Sequence, residues 1–399
     1  MNTTPSPLAQ RLAASATFAM VQKAAELRAA GIDVISMSVG EPDFATPDYI
    51  KEAAHKAIDD NYSKYSPVTG YMWLREAVCK KLKNENNLDY TPAEIIISNG
   101  AKQALSTVVM AIAGPGDEVI VPTPCWVSYT EMVKLAGATP VSVHAGIEQD
   151  FKITAAQLEA AITPKSRAIM LCSPSNPTGA IYTKDELAAL AAVLEKHEDI
   201  MIISDEIYEH LNYIGGHESI AQFPAIKDRC CIINGVSKAY AMTGWRIGYA
   251  AAPKWVISAC NKIQGQSTSG PCSLSQKAAE AAYLGPQDDV ERMRQAFMRR
   301  RDLIVKLAQD IDGFEVNVPT GAFYLFPRCS KYFGCKYGEK TINSADDLAM
   351  YLLEVAHVAS VGGDSFGAPD CIRFSYATSE ENITEAMRRV KEALDALEK

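Results

Sequence analysis

Lys238 lies in the run Ser237-Lys238-Ala239-Tyr240-Ala241-Met242-Thr243-Gly244-Trp245-Arg246-Ile247-Gly248-Tyr249. A lysine amine can form a Schiff base with an aldehyde when burial or neighbouring cations lower its pKa. An arginine eight residues on, among small and aromatic side chains, offers a planar fork that can hold a phosphate. The pair suits covalent capture of a phosphorylated aldehyde. A solvated lysine and a surface arginine near a turn would leave the same trace, so the residues elsewhere in the chain must decide.

Asp205 and Tyr208 stand in Ser204-Asp205-Glu206-Ile207-Tyr208. A carboxylate at a strand end can pair with a protonated pyridine nitrogen and keep that ring an electron sink. A phenol three residues on can hydrogen-bond the ring's 3-oxygen; a helix-capping Asp beside a packed Tyr is the alternative. Asn176 sits in Ser173-Pro174-Ser175-Asn176-Pro177-Thr178-Gly179, a turn-forming run whose amide could reach the same oxygen. Gly100-Ala101-Lys102 opens a helix, where backbone N–H groups and the helix dipole favour a phosphate. Trp126 could stack on a ring or pack in the core. Arg373, inside the apolar run Cys371-Ile372-Arg373-Phe374-Ser375, needs an anionic partner if buried. A substrate α-carboxylate held bidentately would serve, as would an internal salt bridge. Gly40, in Val39-Gly40-Glu41-Pro42-Asp43-Phe44, allows close approach of backbone to a ligand or simply a turn.

These residues need elements to carry them. Strand patterns cover Glu94 to Ser98, Glu118 to Val121, Ala168 to Cys172, Ile200 to Ser204 and Cys231 to Asn234. Helical patterns cover Ala101 to Ala113, Trp126 to Leu135 and Lys184 to Glu195. This alternation predicts an α/β architecture with a mostly parallel sheet and helices on both faces. Several candidate residues follow directly on strands, which is where open α/β sheets bind ligands. After Tyr283 the pattern changes to a long charged helix from Asp288 to Asp310, short strands near Gly321 to Phe326 and Cys371 to Ser375, and a C-terminal helix. The expected division is a large domain over residues 46–285 and a smaller α+β domain over 286–399, joined by the N-terminal segment 1–45. Lys331 to Ser344 reads as a polar loop.

The chain has 399 residues, is 48% hydrophobic and carries a net charge of −9. That balance excludes nucleic acid as the main partner, because backbone binding needs clustered positive charge. Arg299-Arg300-Arg301 is the densest basic run and reads as a solvated helix face. No apolar run approaches the roughly 18 residues of a membrane helix, and no export signal is expected. Ten scattered cysteines without a CxxC pair fit reduced thiols in a cytoplasmic protein. His210 and His217 are poorly spaced for one helical face, and no metal site is expected.

Together these motifs, with Lys64-Tyr65-Ser66-Pro67 and Arg373-Phe374-Ser375-Tyr376-Ala377, resemble the class I, fold-type I aminotransferases dependent on pyridoxal 5'-phosphate. The resemblance spans essentially the whole chain. It implies that Lys238 holds the cofactor as a Schiff base and then shuttles the proton, and that Asp205 pairs with the pyridinium. It implies that Tyr208 and Asn176 hold the ring oxygen, and that Arg246, Ser237 and the amides near Ala101 and Lys102 bind phosphate. It further implies that Trp126 stacks on the ring and Arg373 binds the substrate α-carboxylate. Tyr65 is similar to the tyrosine that reaches the neighbouring subunit's phosphate, which implies a homodimer with shared sites. One departure stands out: where part of the family has a serine or threonine three residues before the lysine, this chain has Gly235.

Length and motif style are similar to the prokaryotic-type aspartate aminotransferases, some of which also use prephenate. In that branch a lysine matching Lys102 and a threonine matching Thr17, here in Ser15-Ala16-Thr17-Phe18, face the distal carboxylate of acidic substrates. The expected reaction is L-aspartate plus 2-oxoglutarate giving oxaloacetate plus L-glutamate, with prephenate as a further acceptor. An aromatic or alanine aminotransferase, a C–S lyase, or a non-catalytic module of the same fold would share the cofactor residues.

Overall fold

The computed structural model describes residues 4–14 and 16–398, the side chain of Ala16 excepted; Ser15 lies outside the described residues. The first strands in chain order are β1 (Ile35–Ser36), β2 (Ile95–Ser98), β3 (Glu118–Thr123), β4 (Thr139–His144), β5 (Ser166–Cys172), β6 (Met201–Asp205), β7 (Cys230–Gly235) and β8 (Gly248–Ala251). All but β1 form a seven-stranded sheet in the order β2-β8-β7-β6-β5-β3-β4. β8 runs antiparallel to both neighbours, and the remaining pairs are parallel.

Side chains alternate across a strand, and here both alternating sets are apolar. Ile95, Ile97, Ile169, Ile202 and Ile232 enter one core, with the helices Met72–Asn86, Lys184–Glu195 and Ser273–Leu284. Ile96, Met170, Ile203 and Ile233 enter the other, with Ala101–Ile112, Ser128–Leu135 and Lys254–Ser267. A parallel sheet buried on both faces requires this double cover. β5, β6 and β7 are neighbours, so their carboxyl ends stand side by side. Those ends feed the Asn176 loop, Asp205 and Lys238.

A third core forms the smaller α+β unit. Its strands are β9 (Tyr324–Leu325), β10 (Lys336–Tyr337), β11 (Lys340–Thr341), β12 (Val358–Ala359), β13 (Val361–Gly362) and β14 (Ile372–Ser375). β13, β14 and β9 make an antiparallel sheet, and β1 pairs with β12. Met20, Val34 and Met37 pack there with Phe297 and Ile304 of the helix Asp288–Gln309 and with Val390 of the helix Glu380–Asp395. Ile207, Tyr208 and Leu211, just after β6, belong to this core as well.

Three expectations are corrected. The helix expected from Trp126 begins at Ser128, leaving Trp126 in the preceding turn. The polar stretch Lys331 to Ser344 contains the β10–β11 hairpin, whose Lys336 also bridges to Glu398. The run Arg299-Arg300-Arg301 is not a solvated face. Arg300 is buried and makes two hydrogen bonds to Asp43, at 2.7 and 2.9 Å, while Arg301 bonds the Pro319 carbonyl at 2.8 Å. Three successive helical residues span about 200° at 3.6 per turn, so they cannot share one face. Among the described residues, no helix is long and apolar enough to cross a membrane. All ten cysteines are free.

Candidate active site

A cavity of about 440 Å³ opens where the carboxyl ends of β5, β6 and β7 meet the small unit. Its wall includes Thr17, Gly40, Ala101, Lys102, Trp126, Asn176, Asp205, Tyr208, Ser237, Lys238, Arg246 and Arg373. These are the residues singled out in the sequence, Tyr65 excepted. Tyr65 is 98% exposed and does not line it. Four cationic side chains, Lys102, Lys238, Arg246 and Arg373, face one carboxylate, Asp205. An acidic chain has thus concentrated positive charge in one concave site, which attracts small anions.

Lys238 Nζ donates to the Gly40 carbonyl at 2.6 Å. Burial, with Arg246 and Arg373 acting in the same direction, lowers its pKa to about 8 against the pull of Glu41 and Asp205. A lysine so shifted has an appreciable neutral fraction near neutrality, as a nucleophile and proton carrier needs. Asp205 ends β6 and is buried. Its Oδ2 accepts from the Tyr129 hydroxyl at 2.7 Å and its Oδ1 from the Ile207 N–H at 3.2 Å. Burial raises its pKa to about 6 despite those two donors. Among the described residues no cation forms an ion pair with it, and its two hydrogen-bond donors are neutral.

The turn after Asp205 divides its side chains between two sides. Asp205, Ile207 and Tyr208 line the cavity. Glu206 and Glu209 enter a buried polar network instead. Glu206 accepts from Ser204 and Ser219, and Glu209 takes Lys81 as its ion-pair partner with Asn86 and Asn234 as donors. His210 lies within 3.6 Å of Glu209 and His217 within 2.9 Å of Glu206, so the fold brings both histidines to one network.

At the helix Ala101–Ile112, glycine sets the approach. Gly100 has φ +81°, and a Cβ there would meet the Arg246 guanidinium at 2.2 Å. Arg246 bonds the Asn99 and Thr243 carbonyls at 3.1 and 2.9 Å, which fixes its fork beside the first helical N–H groups. Gly235 pairs with Gly248, and a Cβ on Gly235 would lie 2.8 Å from Gly248 Cα and from the Ile247 carbonyl oxygen. A Cβ on Gly248 would lie 2.3 Å from the Ala101 nitrogen. The departure at position 235 therefore has a packing cause: β7 and β8 approach too closely there for a side chain.

At the opposite end, Arg373 is 2% exposed. Its guanidinium donates to Asn176 Oδ1 at 2.8 Å and to the Ser38 carbonyl at 2.6 Å. Its Nε has no partner, and among the described residues no carboxylate pairs with it. The Tyr324 and Phe366 rings flank the guanidinium at 4.7 and 4.8 Å. Lys102 rests over the Trp126 ring at 4.8 Å, and burial together with Arg246 lowers its pKa. Thr17 and Phe18 reach the cavity from the N-terminal helix Ala16–Ala29.

Sequence reasoning passed over Tyr129 and Tyr324, which also line the cavity. Tyr129 follows Trp126 by three residues, a spacing that could have paired them. Tyr324 carries no local signal, because β9 is two residues long and apolar around it.

Residues 32–390 match the family model for aminotransferases of class I and II. The chain is 50% identical over 398 residues to an aspartate aminotransferase from Geobacillus stearothermophilus, covering 98% of this chain and 99% of that protein. It is 50% identical over 384 residues to an aspartate/prephenate aminotransferase from Cereibacter sphaeroides, covering 96% of each. The crystal structure of the aspartate aminotransferase from Rhizobium meliloti superposes with a TM-score of 0.96 at 42% identity, covering 99% of this chain and 100% of that one. A buried lysine and a buried carboxylate, an arginine held beside a helix N-terminus and a buried arginine without a carboxylate partner thus line one cavity of a chain that belongs to the class I and II aminotransferases.

Proposed function

We propose that this chain binds pyridoxal 5'-phosphate in the cavity and transfers the amino group of L-aspartate to 2-oxoglutarate, giving oxaloacetate and L-glutamate. The observation that carries this reading is Arg373, a buried guanidinium with neutral acceptors and an orphaned Nε. Burying such a charge without an anion is costly, and a substrate α-carboxylate would complete it bidentately. The residues present also fit the cofactor. The cradle of Arg246, Ser237 and the Ala101 and Lys102 amides suits its phosphate, Asp205 its ring nitrogen, Tyr208 and Asn176 its ring oxygen, and Trp126 its face.

When bound, the cofactor supplies an electrophilic carbon for the amino group and a cationic ring that draws electrons from the substrate Cα. The chain does the rest. Lys238 would hold the cofactor's aldehyde through its amine and, when neutral, would carry the substrate Cα proton. Asp205 stays ionised to keep the ring nitrogen protonated. Arg373 fixes the α-carboxylate, and Lys102 with Thr17 receives the distal carboxylate as a mobile point charge. A lysine ammonium at that end favours acidic over aromatic or neutral side chains. Prephenate also ends in a carboxylate, and the aspartate/prephenate aminotransferase among the relatives supports it as a second acceptor. Tyr65, exposed in this chain, is free to reach a second subunit's phosphate in a homodimer. The free cysteines suit a reducing, cytoplasmic setting.

The test is a visible spectrum of the purified protein followed by kcat/KM for aspartate, glutamate, alanine and phenylalanine, with prephenate as an acceptor. Lys102→Ala should leave a distal carboxylate unpaired at a cost of roughly 1–3 kcal/mol, harming aspartate and glutamate far more than alanine or phenylalanine. An equal loss on all four would remove the acidic-substrate assignment.

A further inference from the structure

We infer that Tyr324 is a positioning residue that ties three parts of the site together: the Arg373 guanidinium, the Tyr208 hydroxyl and the Gly40 backbone that holds the Lys238 amine. Tyr324 is fully buried on β9 and lines the cavity. Its backbone is registered by the pairing of Tyr324 with Ser375, two residues beyond Arg373 on β14. Its ring lies 4.7 Å from the Arg373 carbon, and its hydroxyl lies 2.7 Å from the Tyr208 hydroxyl. A Cβ on Gly40 would stand 2.1 Å from that hydroxyl, so glycine at position 40 makes room for Tyr324. The carbonyl of Gly40 in turn accepts from Lys238.

The two halves of Tyr324 therefore do different things. The ring is a surface for the guanidinium, holding its plane toward the cavity by a cation–π contact. The hydroxyl can donate to Tyr208, which frees the Tyr208 proton to point into the cavity. A phenol that accepts one hydrogen bond donates the next more strongly, because chains of such bonds polarise one another. Tyr324 thereby links carboxylate binding in the small unit to the acid–base groups of the large one. This deepens the functional reading above and rests on it.

Separate variants read the two halves. In Tyr324→Phe the ring remains and the hydroxyl goes. The holoenzyme's Kd for succinate, a dicarboxylate without an amine, should stay within about twofold. The midpoint of its visible absorbance titration should rise by roughly half to one pH unit, the equivalent of one lost hydrogen bond. The rise follows because a weaker Tyr208 donor stabilises negative charge on the ring oxygen less well. kcat should fall with KM little changed. In Tyr324→Leu the ring is lost as well, and succinate should bind roughly three- to thirtyfold more weakly.

A stability cycle gives a readout that needs no cofactor. Gly40→Ala should lower the melting temperature of the apoprotein, and it should do so much less in a Tyr324→Phe background, where the 2.1 Å contact is gone. Tyr324 would be a plain core residue if Tyr324→Phe moved neither the titration nor kcat, or if the two Gly40 effects were additive. Equal weakening of succinate by Phe and Leu would overturn the division between ring and hydroxyl. A wild-type protein without a visible cofactor band would instead defeat the functional reading, leaving the Gly40–Tyr324 cycle to judge the contact alone.

Discussion

Asp205 concentrates the conflict between stability and function in one side chain. Its folded pKa, about 6, lies above the usual 3.8 because burial disfavours the charge. Between those values the folded state binds more protons than the unfolded state, so stability falls as pH rises through that window. Above about 6 the cost is fully present, on the order of 2–3 kcal/mol for a shift of this size. Asp205→Asn should therefore raise the melting temperature of the apoprotein at pH 7, with the gain fading as pH falls from 6 toward 4. The same variant should lose several orders of magnitude in transamination. A melting temperature that drops at pH 7 would mean the carboxylate is not buried at a cost. The Tyr129 bond partly offsets the burial, so Tyr129→Phe should move the acid limb of the kcat profile to higher pH. For Lys238, Ala should abolish turnover, and borohydride should no longer fix the cofactor to the chain; retained turnover would contradict its assigned role.

At the scale of elements, the site depends on close backbone contact more than on side-chain bulk. The glycine pair Gly235–Gly248 lets β7 and β8 meet and brings β8 against the Ala101 nitrogen. The three nearest neighbours of a Cβ at position 235 are all backbone atoms, which cannot rotate away. Gly235→Ser should destabilise the protein by about 1–3 kcal/mol, as overpacking does, without tightening the cofactor despite the added hydroxyl. Urea unfolding of the apoprotein and a cofactor titration would measure the two effects separately. Tighter cofactor binding at unchanged stability would contradict the packing explanation. The Arg300–Asp43 pair serves the same purpose from the small unit, since it fastens the segment that begins at Gly40 to the helix Asp288–Gln309.

For the whole molecule, Tyr65 raises the question of a partner. A tyrosine 98% exposed on a segment anchored by the Ser66–Pro271 bond has its hydroxyl free for another surface. If it completes the phosphate site of a second subunit, Tyr65→Phe and Lys238→Ala chains should complement one another. Each mixed dimer would hold one site with both defects and one with neither, so mixing refolded chains should give more activity than the two parents summed. Strictly additive activity, or an active monomer in sedimentation, would contradict the shared site.

What the sequence by itself determined is local and chemical. The strand alternations, the turn runs after strands and the residue types at Lys238, Asp205, Asn176, Arg246 and Arg373 were all legible, because each depends on neighbours within a few positions. The tertiary structure alone decided what depends on contacts between distant segments. Arg300 left the solvated face because Asp43, far earlier in the chain, folds onto it. Gly235 lacks a hydroxyl because β8 leaves no space for one. Tyr129 and Tyr324 entered the site because a helix after β3 and a two-residue strand aim them at Asp205 and Tyr208. The physical reason is range: hydrogen-bonding type and apolar period are written residue by residue, whereas a buried charge or hydroxyl acquires its partner only when non-adjacent backbones come within a few ångströms.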